Sequence, residues 1–583
     1  MTIGTMNASI VGYKNSGTLT RNYYHACTVA GVANATGVGI GSESSTTTSD
    51  VDGARALYAI TLGTNVTIDR TPATDPLPGT NNMTYDNGAD IEGVPYAYAG
   101  ATVTLNYTGE VGTGYHVVYS ITAGTLEGNT LTMPAEDVTV TAEVVQIPVS
   151  YIDADGATQI CNAYTTITDC GPSWTEIGTS GQENWYVVSS DATISGTCSF
   201  INSHTHLIVC DGVTLTINGY NAKLLGNYGS LTIYGQSGGS GNITANTGGQ
   251  CLNFNGNVTI NGCTINATSE LQRSIYGSYN VIINRGIVTA TSSHSYGIFG
   301  DNVTINGGTV SATGSADGIR AVETITLGWT NPTDRIYASS YALSDTYGIA
   351  FQVKDGQTLT DGTNAFSGTL NSDQIAALAG QTLQPAAALA MNNAGIMTYA
   401  SPYALDLSNV NAYVVSDYNS GNSTLTLTKA TEAPANTGLL LKAKDDGQKN
   451  TTIALPLQES AEAVGENLLV GVTDGATIVH QTEGSYTNFI LANGKYGIDW
   501  YTLSEAGTIG ANKAYLQLPT AEVSSGRAFT WVYDDGTSTK MERPTPDPSL
   551  YGGEWYDLNG RKLKGKPTTK GLYIHNGRKK VVR

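Results

Sequence analysis

Two patterns between residues 191 and 345 could support chemistry, and the first is a pair of acids. Asp301 and Glu323 are 22 residues apart, with Arg320 between them. Enzymes that cleave polysaccharides need clustered carboxyl groups, often with a basic side chain, in one groove. The other acids of this segment do not recur at that spacing. Ordinary solvated positions at the corner of a repeat are therefore the simpler interpretation, and we predict no catalytic residue.

The second pattern is a pair of histidines. His204 and His206 are two apart, so on a strand they face the same way and could begin a zinc site. A third ligand is not evident, since Cys210 or Asp211 could approach only after a turn. We predict a polar strand face, with no metal and no cofactor. The glycine run at 235–241 lacks the Lys-Ser/Thr of a phosphate loop and is typical of a flexible loop.

Residues 191–345 contain an internal repeat. Apolar columns recur every 22 or 23 residues, and because one coil cannot bury its own inner face, such coils must stack on each other. The predicted fold is all-β, a right-handed parallel β-helix with three short strands per coil; an antiparallel sandwich, the alternative, would not keep this register. The recurring element is LTIN (215–218), LTIY (231–234), VTIN (258–261), VIIN (281–284), VTIN (303–306) and a degenerate TITL (324–327). The other columns are Ile243, Ile265, Val288 and Val310; Ala245, Ala267, Ala290 and Ala312; and Leu252, Ile275, Ile298 and Ile319.

The residue after each member of the last column should point outward. We expect these four residues to line up on consecutive coils about 4.8 Å apart: Asn253, Tyr276, Phe299 and Arg320. Aromatic rings flanked by an amide and a guanidinium could bind sugar rings. The alternative is that a neighbouring domain or loop covers the rings. A second outward column should only stabilise the stack: Thr244, Asn266, Thr289 and Ser311.

The composition excludes several classes of protein. The net charge is −20 over 583 residues, which argues against a nucleic-acid partner because phosphate binding needs a basic surface. No run of about 20 apolar residues could span a membrane as a helix. The seven cysteines lack a CxxC motif and are too sparse for a disulfide scaffold. Cys198/Cys210 and Cys251/Cys263 could pair, but buried thiols are the favoured interpretation.

The chain is expected to hold several domains, most of them small β-modules. Ser372 is predicted to be the N-cap of a short helix, the only clear helical signal. The predicted boundaries are a β-rich module at 1–93, a β-repeat at 94–147, the β-helix with an N-terminal cap at 148–345, a transition at 346–390, a β-sandwich-like module at 391–541, and a proline-rich linker and tail at 542–583.

Two modules resemble parts of bacterial surface proteins. GATVTL, GY and LTMPAEDVTVTA within 94–147 resemble the β-grasp-type, internalin-B-like repeats, which are spacers or adhesive modules. GIMTYASPYALDL, APANTGLLLK, YTNFILANGKYGIDWY and ANKAYLQLP within 391–541 resemble a β-module near the C-termini of exported Bacteroidetes proteins. The NVTINGGTV-type coil is also similar to the coils of carbohydrate-binding β-helix proteins. The resemblance of 391–541 implies a location more than an activity.

The C-terminal tail differs in charge from the rest of the chain. From Trp555 onward it holds nine Lys or Arg and one acid, a net charge of +8, so the remainder carries −28. YDLNGR, KGLYI, NGRK and KVVR resemble the sorting signal of the type IX secretion system, which implies that this machinery is a partner. The residues that carry this signal are Lys570, Gly571, Gly577, Arg578, Lys579, Lys580 and Arg583. The alternative is a strand pair that closes the preceding domain, with its charges protecting the edge.

The expected location is therefore extracellular or on the outer-membrane surface. The first residues, MTIGTMNASIVGYKNSG, have neither a basic start nor an apolar run of signal-peptide length. Since export by this route needs a signal peptide, we expect the chain to be incomplete at its N-terminus. The predicted function is a non-catalytic adhesin or glycan-binding protein whose partner is a glycan or a host or extracellular polymer. A polysaccharide-degrading enzyme and a purely structural surface component are the alternatives.

Overall fold

The fold is that of a computed structural model, and it divides into two compact units. One unit comprises 1–150 and 159–166, the other 151–158 and 167–583. The residues described are 24–25, 27–29, 32–34, 56–68, 95–112, 114–168, 171, 175–201, 204–343, 350–482, 485–494, 497–503, 505–523, 528–539, 555–557, 562–575 and 578–582.

The smaller unit packs two sheets around one core. A five-stranded and a four-stranded sheet enclose apolar residues such as Ile60, Val103 and Leu131. The strands Ala56–Leu62 and Val66–Ile68 belong to these sheets together with strands from 94–147. The strands in this part of the chain are Tyr24–His25, Cys27–Val29, Val32–Asn34, Ala56–Leu62, Val66–Ile68, Tyr96–Tyr98, Thr102–Tyr107, Tyr115–Ile121, Thr125–Glu127, Thr130–Thr132, Val138–Gln146, Val149–Ile152, Thr158–Cys161 and Thr165–Thr166.

The larger unit contains a parallel β-helix of about eight turns, which confirms the predicted fold class. The apolar columns run in register: Ile243 pairs with Ile265, and Leu252 pairs with Ile275. Its strands are Thr175–Ile177, Glu183–Val188, Ala192–Ile194, Thr197–Phe200, His204–Val209, Thr214–Gly219, Lys223–Gly226, Ser230–Tyr234, Asn242–Thr247, Leu252–Phe254, Val258–Ser269, Ile275–Gly277, Asn280–Ser292, Tyr296–Ile305, Thr309–Gly314, Asp317–Leu327, Arg335–Ala338, Tyr341–Leu343 and Ala350–Val353.

One member of the predicted repeat was assigned to the wrong column. LTIN at 215–218 pairs with 243–246, whereas LTIY at 231–234 pairs with the column of Val258. The two elements begin 16 residues apart, which is less than one coil, so they lie on different strands of the β-helix. The coil from Leu231 to Val258 is 27 residues long, and the segment 235–241 forms an additional loop in it. The carboxylate of Asp211 accepts hydrogen bonds from the backbone N–H groups of Gly238 (2.8 Å) and Ser240 (3.0 Å), so this loop has a defined anchor.

Asparagines form a ladder along one corner of the β-helix. The Nδ2 of Asn284 donates to the Oδ1 of Asn261 (2.7 Å), and the Nδ2 of Asn306 donates to the Oδ1 of Asn284 (2.8 Å). The Nζ of Lys354 donates to the Oδ1 of Asn306 (3.2 Å) at the end of this series. Each side-chain amide thus forms a hydrogen bond with its neighbour on the next coil, which lowers the free-energy cost of burying these polar side chains.

The transition segment covers the C-terminal end of the β-helix. Phe351, Phe366 and Leu378 lie in the same apolar cluster as the coils, as expected for a capping element of a stacked repeat. The helix is Ser372–Leu378, and its N-cap is Asn371, not Ser372. The Asn371 side chain accepts a hydrogen bond from the backbone N–H of Gln374, and the Gln374 side chain accepts one from the backbone N–H of Asn371. The Asn-x-x-Gln sequence therefore forms a capping box. The strands here are Thr358–Thr360, Ala365–Phe366 and Thr382–Ala390.

The segment 391–541 packs a six-stranded sheet against a five-stranded sheet. Leu427 and Trp531 of the first contact Phe489 and Leu516 of the second in one apolar cluster. The strands are Ile396–Tyr399, Ala404–Asp406, Asn411–Asn419, Thr424–Ala430, Glu432–Ala433, Leu439–Lys442, Thr452–Gln458, Leu469–Val472, Ala476–Ile478, Gln481–Thr482, Tyr486–Gly494, Gly497–Thr502, Gly507–Ile509, Lys513–Pro519, Thr530–Tyr533 and Ser538–Thr539; the 3-10 helices are Asp446–Gln448 and Thr520–Glu522.

The tail forms a four-stranded antiparallel sheet. Trp555 is buried and its ring lies 4.3 Å from that of His575. The last two strands form the predicted hairpin, in which Tyr573 pairs with Lys580. Gly577 and Arg583, as well as the linker 543–549, lie outside the described residues. The strands are Trp555–Tyr556, Lys562–Leu563, Gly571–His575 and Arg578–Val582.

The stacked core predicts a strong contrast between two isoleucines. Ile298 is 0% exposed, whereas Ile287 on the preceding strand is 50% exposed. Ile298→Ala should lower the free energy of unfolding by about 2–5 kcal/mol, because it leaves a cavity in the core. Ile287→Ala is the matched control and should cost about 0.5 kcal/mol or less. Urea denaturation of both variants measures the difference, and equal losses would contradict the assignment of inner and outer faces.

Candidate functional site

The four outward residues lie in register on consecutive coils. Asn253 pairs with Tyr276, Tyr276 with Phe299, and Phe299 with Arg320. We call these four residues the outer ladder, and each is partly buried. The rings of Tyr276 and Phe299 are tilted by 34° with their centroids 5.8 Å apart. The alignment expected from the sequence is confirmed, while a binding role remains a prediction.

A second column of residues borders the outer ladder at the corner that precedes it. We call it the corner column; it consists of Gln250, Arg273, Tyr296 and Asp317. Each member is three residues before a ladder residue and contacts it. The Nδ2 of Asn253 donates to the Oε1 of Gln250 (3.0 Å), and the Tyr296 ring stacks on Phe299 with centroids 5.4 Å apart.

Arg273 holds the central position of this face. Its guanidinium carbon lies 4.8 Å from the ring centroid of Tyr276 and 4.4 Å from that of Phe299. Such cation–π contacts fix the orientation of a guanidinium without using its N–H donors. Among the described residues Arg273 makes no hydrogen bond and no ion pair. The face therefore presents an oriented cation with five available donors. Arg273 partly covers these two rings.

Arg320 is engaged with its own corner residue. Its Nη1 donates to the Oδ2 of Asp317 at 3.3 Å, and its guanidinium lies 5.2 Å from the centroid of Tyr296. The contact with Tyr296 joins one coil to the next, as the contact of Arg273 with Phe299 also does. The two columns therefore form one network of interlocked side chains.

Asp301 and Glu323 do lie near each other. Burial and then the charge of Glu323 raise the pKa of Asp301. The Oε2 of Glu323 accepts a hydrogen bond from the Nδ2 of Asn302 (3.2 Å). Arg320, the third member of the catalytic hypothesis, is bound to Asp317 instead. The pair of carboxyl groups thus exists, but Arg320 does not join it.

A small cavity adjoins the Gln250 end of this face. It has a volume of about 130 Å³, and Tyr220, Lys223 and Leu271 are among its lining residues. Tyr220 is 65% exposed, and its ring lies against the backbone of Gly248, where a Cβ atom would come within 2.4 Å. An exposed aromatic side chain, Tyr220, and a partly buried cationic one, Lys223, therefore lie beyond the outer ladder.

Sequence reasoning found the outer ladder and missed the corner column. The signal was present, because Gln250, Arg273, Tyr296 and Asp317 follow each other at steps of 23, 23 and 21 residues. These residues differ in type, so no apolar or polar pattern marks them. Only their constant distance from the outer ladder could have identified them.

His204 and His206 belong to a separate aromatic stack on the outer surface. Their rings are 4.5 Å apart, and His206 also stacks on Trp185 at 4.1 Å. The Nδ1 of His206 and the hydroxyl of Tyr234 share a hydrogen bond of 2.9 Å. The described residues include no group of three His, Cys, Asp or Glu that could hold a metal ion. The geometry here is that of a packed aromatic cluster.

Five cysteines whose side chains the structure describes are not in a disulfide: Cys161, Cys198, Cys210, Cys251 and Cys263. Cys210 is partly buried and the other four are buried. Burial raises the pKa of Cys263 to about 12 and that of Cys251 to about 11. These two thiols are therefore poor nucleophiles near neutral pH.

Comparison with known proteins gives no family for this chain. No protein family, no curated protein and no solved structure matches it. In the part of the chain that the structure describes, no helix has the length and apolar character needed to cross a membrane.

The buried histidine predicts a pH dependence of stability. Burial, then the neighbouring His204, lowers the pKa of His206 to about 4, against 6.5 for an ordinary histidine. As the pH falls from about 6.5 to about 4, the unfolded chain binds a proton that the folded chain does not. The free energy of unfolding therefore falls by about 3 kcal/mol. His206→Phe keeps an aromatic ring in the stack and should remove this part of the pH dependence. Urea denaturation between pH 7 and 4 measures the difference, and identical slopes for both proteins would contradict the assignment.

Proposed function

We propose that this chain is a non-catalytic, secreted or cell-surface protein that binds glycans through the outer ladder and the corner column. The observation that supports this most strongly is the placement of Arg273. Two aromatic rings orient its guanidinium, and its donors have no partner among the described residues. A binding site that is rigid before the ligand arrives loses less entropy on binding.

The proposed recognition combines two kinds of contact. The exposed parts of Tyr276, Phe299 and Tyr296 offer apolar surface to the C–H faces of sugar rings. Arg273 and the amide of Asn253 offer hydrogen bonds to hydroxyl or carboxylate oxygens. Because the positions of these residues align from coil to coil, the face would accommodate an extended chain of sugars running along the axis of the β-helix.

A polysaccharide-degrading enzyme is the second candidate. It would rely on Asp301, whose raised pKa suits a proton donor, and on Glu323. The engagement of Arg320 with Asp317 counts against it. A structural surface component without a ligand is the third possibility.

We also propose that the tail directs export by the type IX secretion machinery. The hairpin Gly571–His575 and Arg578–Val582 places Lys579 and Lys580 on an exposed strand. A folded, basic end on an acidic chain gives a receptor a distinct surface to bind. The extracellular or outer-membrane location rests on this proposal.

Glycan binding is tested on the whole chain with a glycan array. Replacing the two rings, Tyr276→Ala with Phe299→Ala, should weaken binding about tenfold or more, equivalent to about 1.4 kcal/mol. Arg273→Gln keeps both rings and should also weaken binding. Tyr279→Ala is the control, since this tyrosine is 61% exposed and lies outside both columns.

Each outcome of the array distinguishes between the candidate functions. Binding that is lost in the double variant and kept in Tyr279→Ala supports the proposal. Absence of binding to any glycan would overturn it and favour a structural role. Release of reducing ends or unsaturated products that depends on Asp301 would instead support the enzyme.

Export is tested by transferring the tail to another protein. A periplasmic reporter fused to residues 543–583 should reach the cell surface in a Bacteroidetes strain with a working type IX system and remain inside in a strain without it. The control fusion carries Lys579→Glu and Lys580→Glu, which reverse the charge of the exposed strand. Equal export of the reporter with and without the tail would contradict the proposal.

A further inference from the structure

A second cavity lies on a different corner of the β-helix. Its volume is about 230 Å³. This is enough space for several water molecules or for a small ligand. Ile152, Gln236, Asn261 and Arg285 are among its lining residues. It shares no lining residue with the outer ladder or the corner column.

A β-bulge directs Arg285 to this position. Ile260 pairs with Ile283, but Asn261 pairs with Arg285, so Asn284 is an additional residue in its strand. Asn284 remains in the asparagine ladder, and Arg285 is displaced toward the cavity. Bulges of this kind often re-aim a side chain next to a functional site.

Arg285 has almost no protein partner. Its Nη2 donates to the backbone oxygen of Ala154 at 3.3 Å, and its Nε is buried without a hydrogen bond. Among the described residues it is in no ion pair; those present are Arg320–Asp317 and Lys449–Asp446. An unpaired buried donor of a charged group is unfavourable, and folded proteins retain few of them. Among the described residues this guanidinium therefore has no anionic partner, although the chain carries a net charge of −20.

Glycines shape the cavity around the guanidinium. Gly156 lies directly against it: a Cβ atom there would come within 2.5 Å of Nη2 and 2.7 Å of Cζ. Gly286 lines the cavity with φ +94°, and a Cβ atom there would lie 2.4 Å from the backbone oxygen of Cys263, so the neighbouring backbone packs closely against this glycine. The absence of a side chain at Gly156 makes room for the guanidinium of Arg285.

We propose that this cavity binds a small carboxylate, no larger than a single sugar acid, through the guanidinium of Arg285. Carboxylate oxygens match the spacing of the guanidinium N–H groups and form the strong, charge-assisted hydrogen bonds that Arg285 lacks. This site is independent of the glycan-binding face.

Glucuronate titrated into the full-length protein tests the proposal. Saturation-transfer NMR at constant ionic strength detects binding of this small ligand and gives its dissociation constant. The methyl ester of glucuronate has the same ring without the charge and should bind about tenfold more weakly or not at all. Arg285→Gln should reduce the affinity for glucuronate by about the same factor.

Two variants make the test specific. Arg335→Gln is the control, because the guanidinium of Arg335 binds the backbone oxygens of Pro332 and Asp334 and lines no part of this cavity. Gly156→Ala retains every charge and should also weaken binding, since its methyl group would displace the guanidinium. No binding by the unaltered protein would overturn the proposal, and so would equal binding of acid and ester or undiminished binding by Arg285→Gln.

Discussion

The in-register stacking of apolar columns is the constraint on which the rest of the structure depends. A coil of about 22 residues has an inner face that it cannot bury alone, so every coil is stable only between neighbours. The columns that contain Ile243 and Leu252 meet this need by placing the same position of each coil above its equivalent. The outward positions are then aligned too, whatever their residue types. Surface residues far apart in sequence become neighbours about 4.8 Å apart.

This alignment explains why unrelated side chains form ordered networks. The distance between Tyr276 and Phe299 is set by the stacking of the inner column beneath them, not by attraction between the two rings. The contacts of Arg273 with both rings, and of Arg320 with Tyr296, then stabilise neighbouring coils from outside. Asparagines do the same at another corner through amide hydrogen bonds. Contacts in the core and contacts on the surface thus stabilise the same register of stacked coils.

The sequence was sufficient to predict the columns and insufficient to predict the corners. Strand positions such as Val288 or Ile298 carry a regular apolar signal, so the β-helix and the outer ladder could be derived from spacing. LTIN at 215–218 has the residues of one column but lies in another, so residue type alone placed it in the wrong column. Asn371 and Ser372 are both suitable N-caps, and only the reciprocal contact with Gln374 decides between them. The partners of Arg273 and Arg285 depend on side-chain directions and on a β-bulge, and neither of these produces a periodic pattern in the sequence.

The loop at 235–241 shows how the β-helix tolerates additional chain. The coil from Leu231 to Val258 has 27 residues where the next two steps have 23 and 22, yet the strands on both sides keep their pairing. The hydrogen bonds of Asp211 hold the base of this loop, so the length of the loop does not alter the register of the coils. The same corner on the following coils, at Gly262 and Gly286, is turned by a few residues only. Peptide inserts at these corners would be displayed side by side on a rigid rod, which makes the β-helix a scaffold for closely spaced arrays of grafted loops.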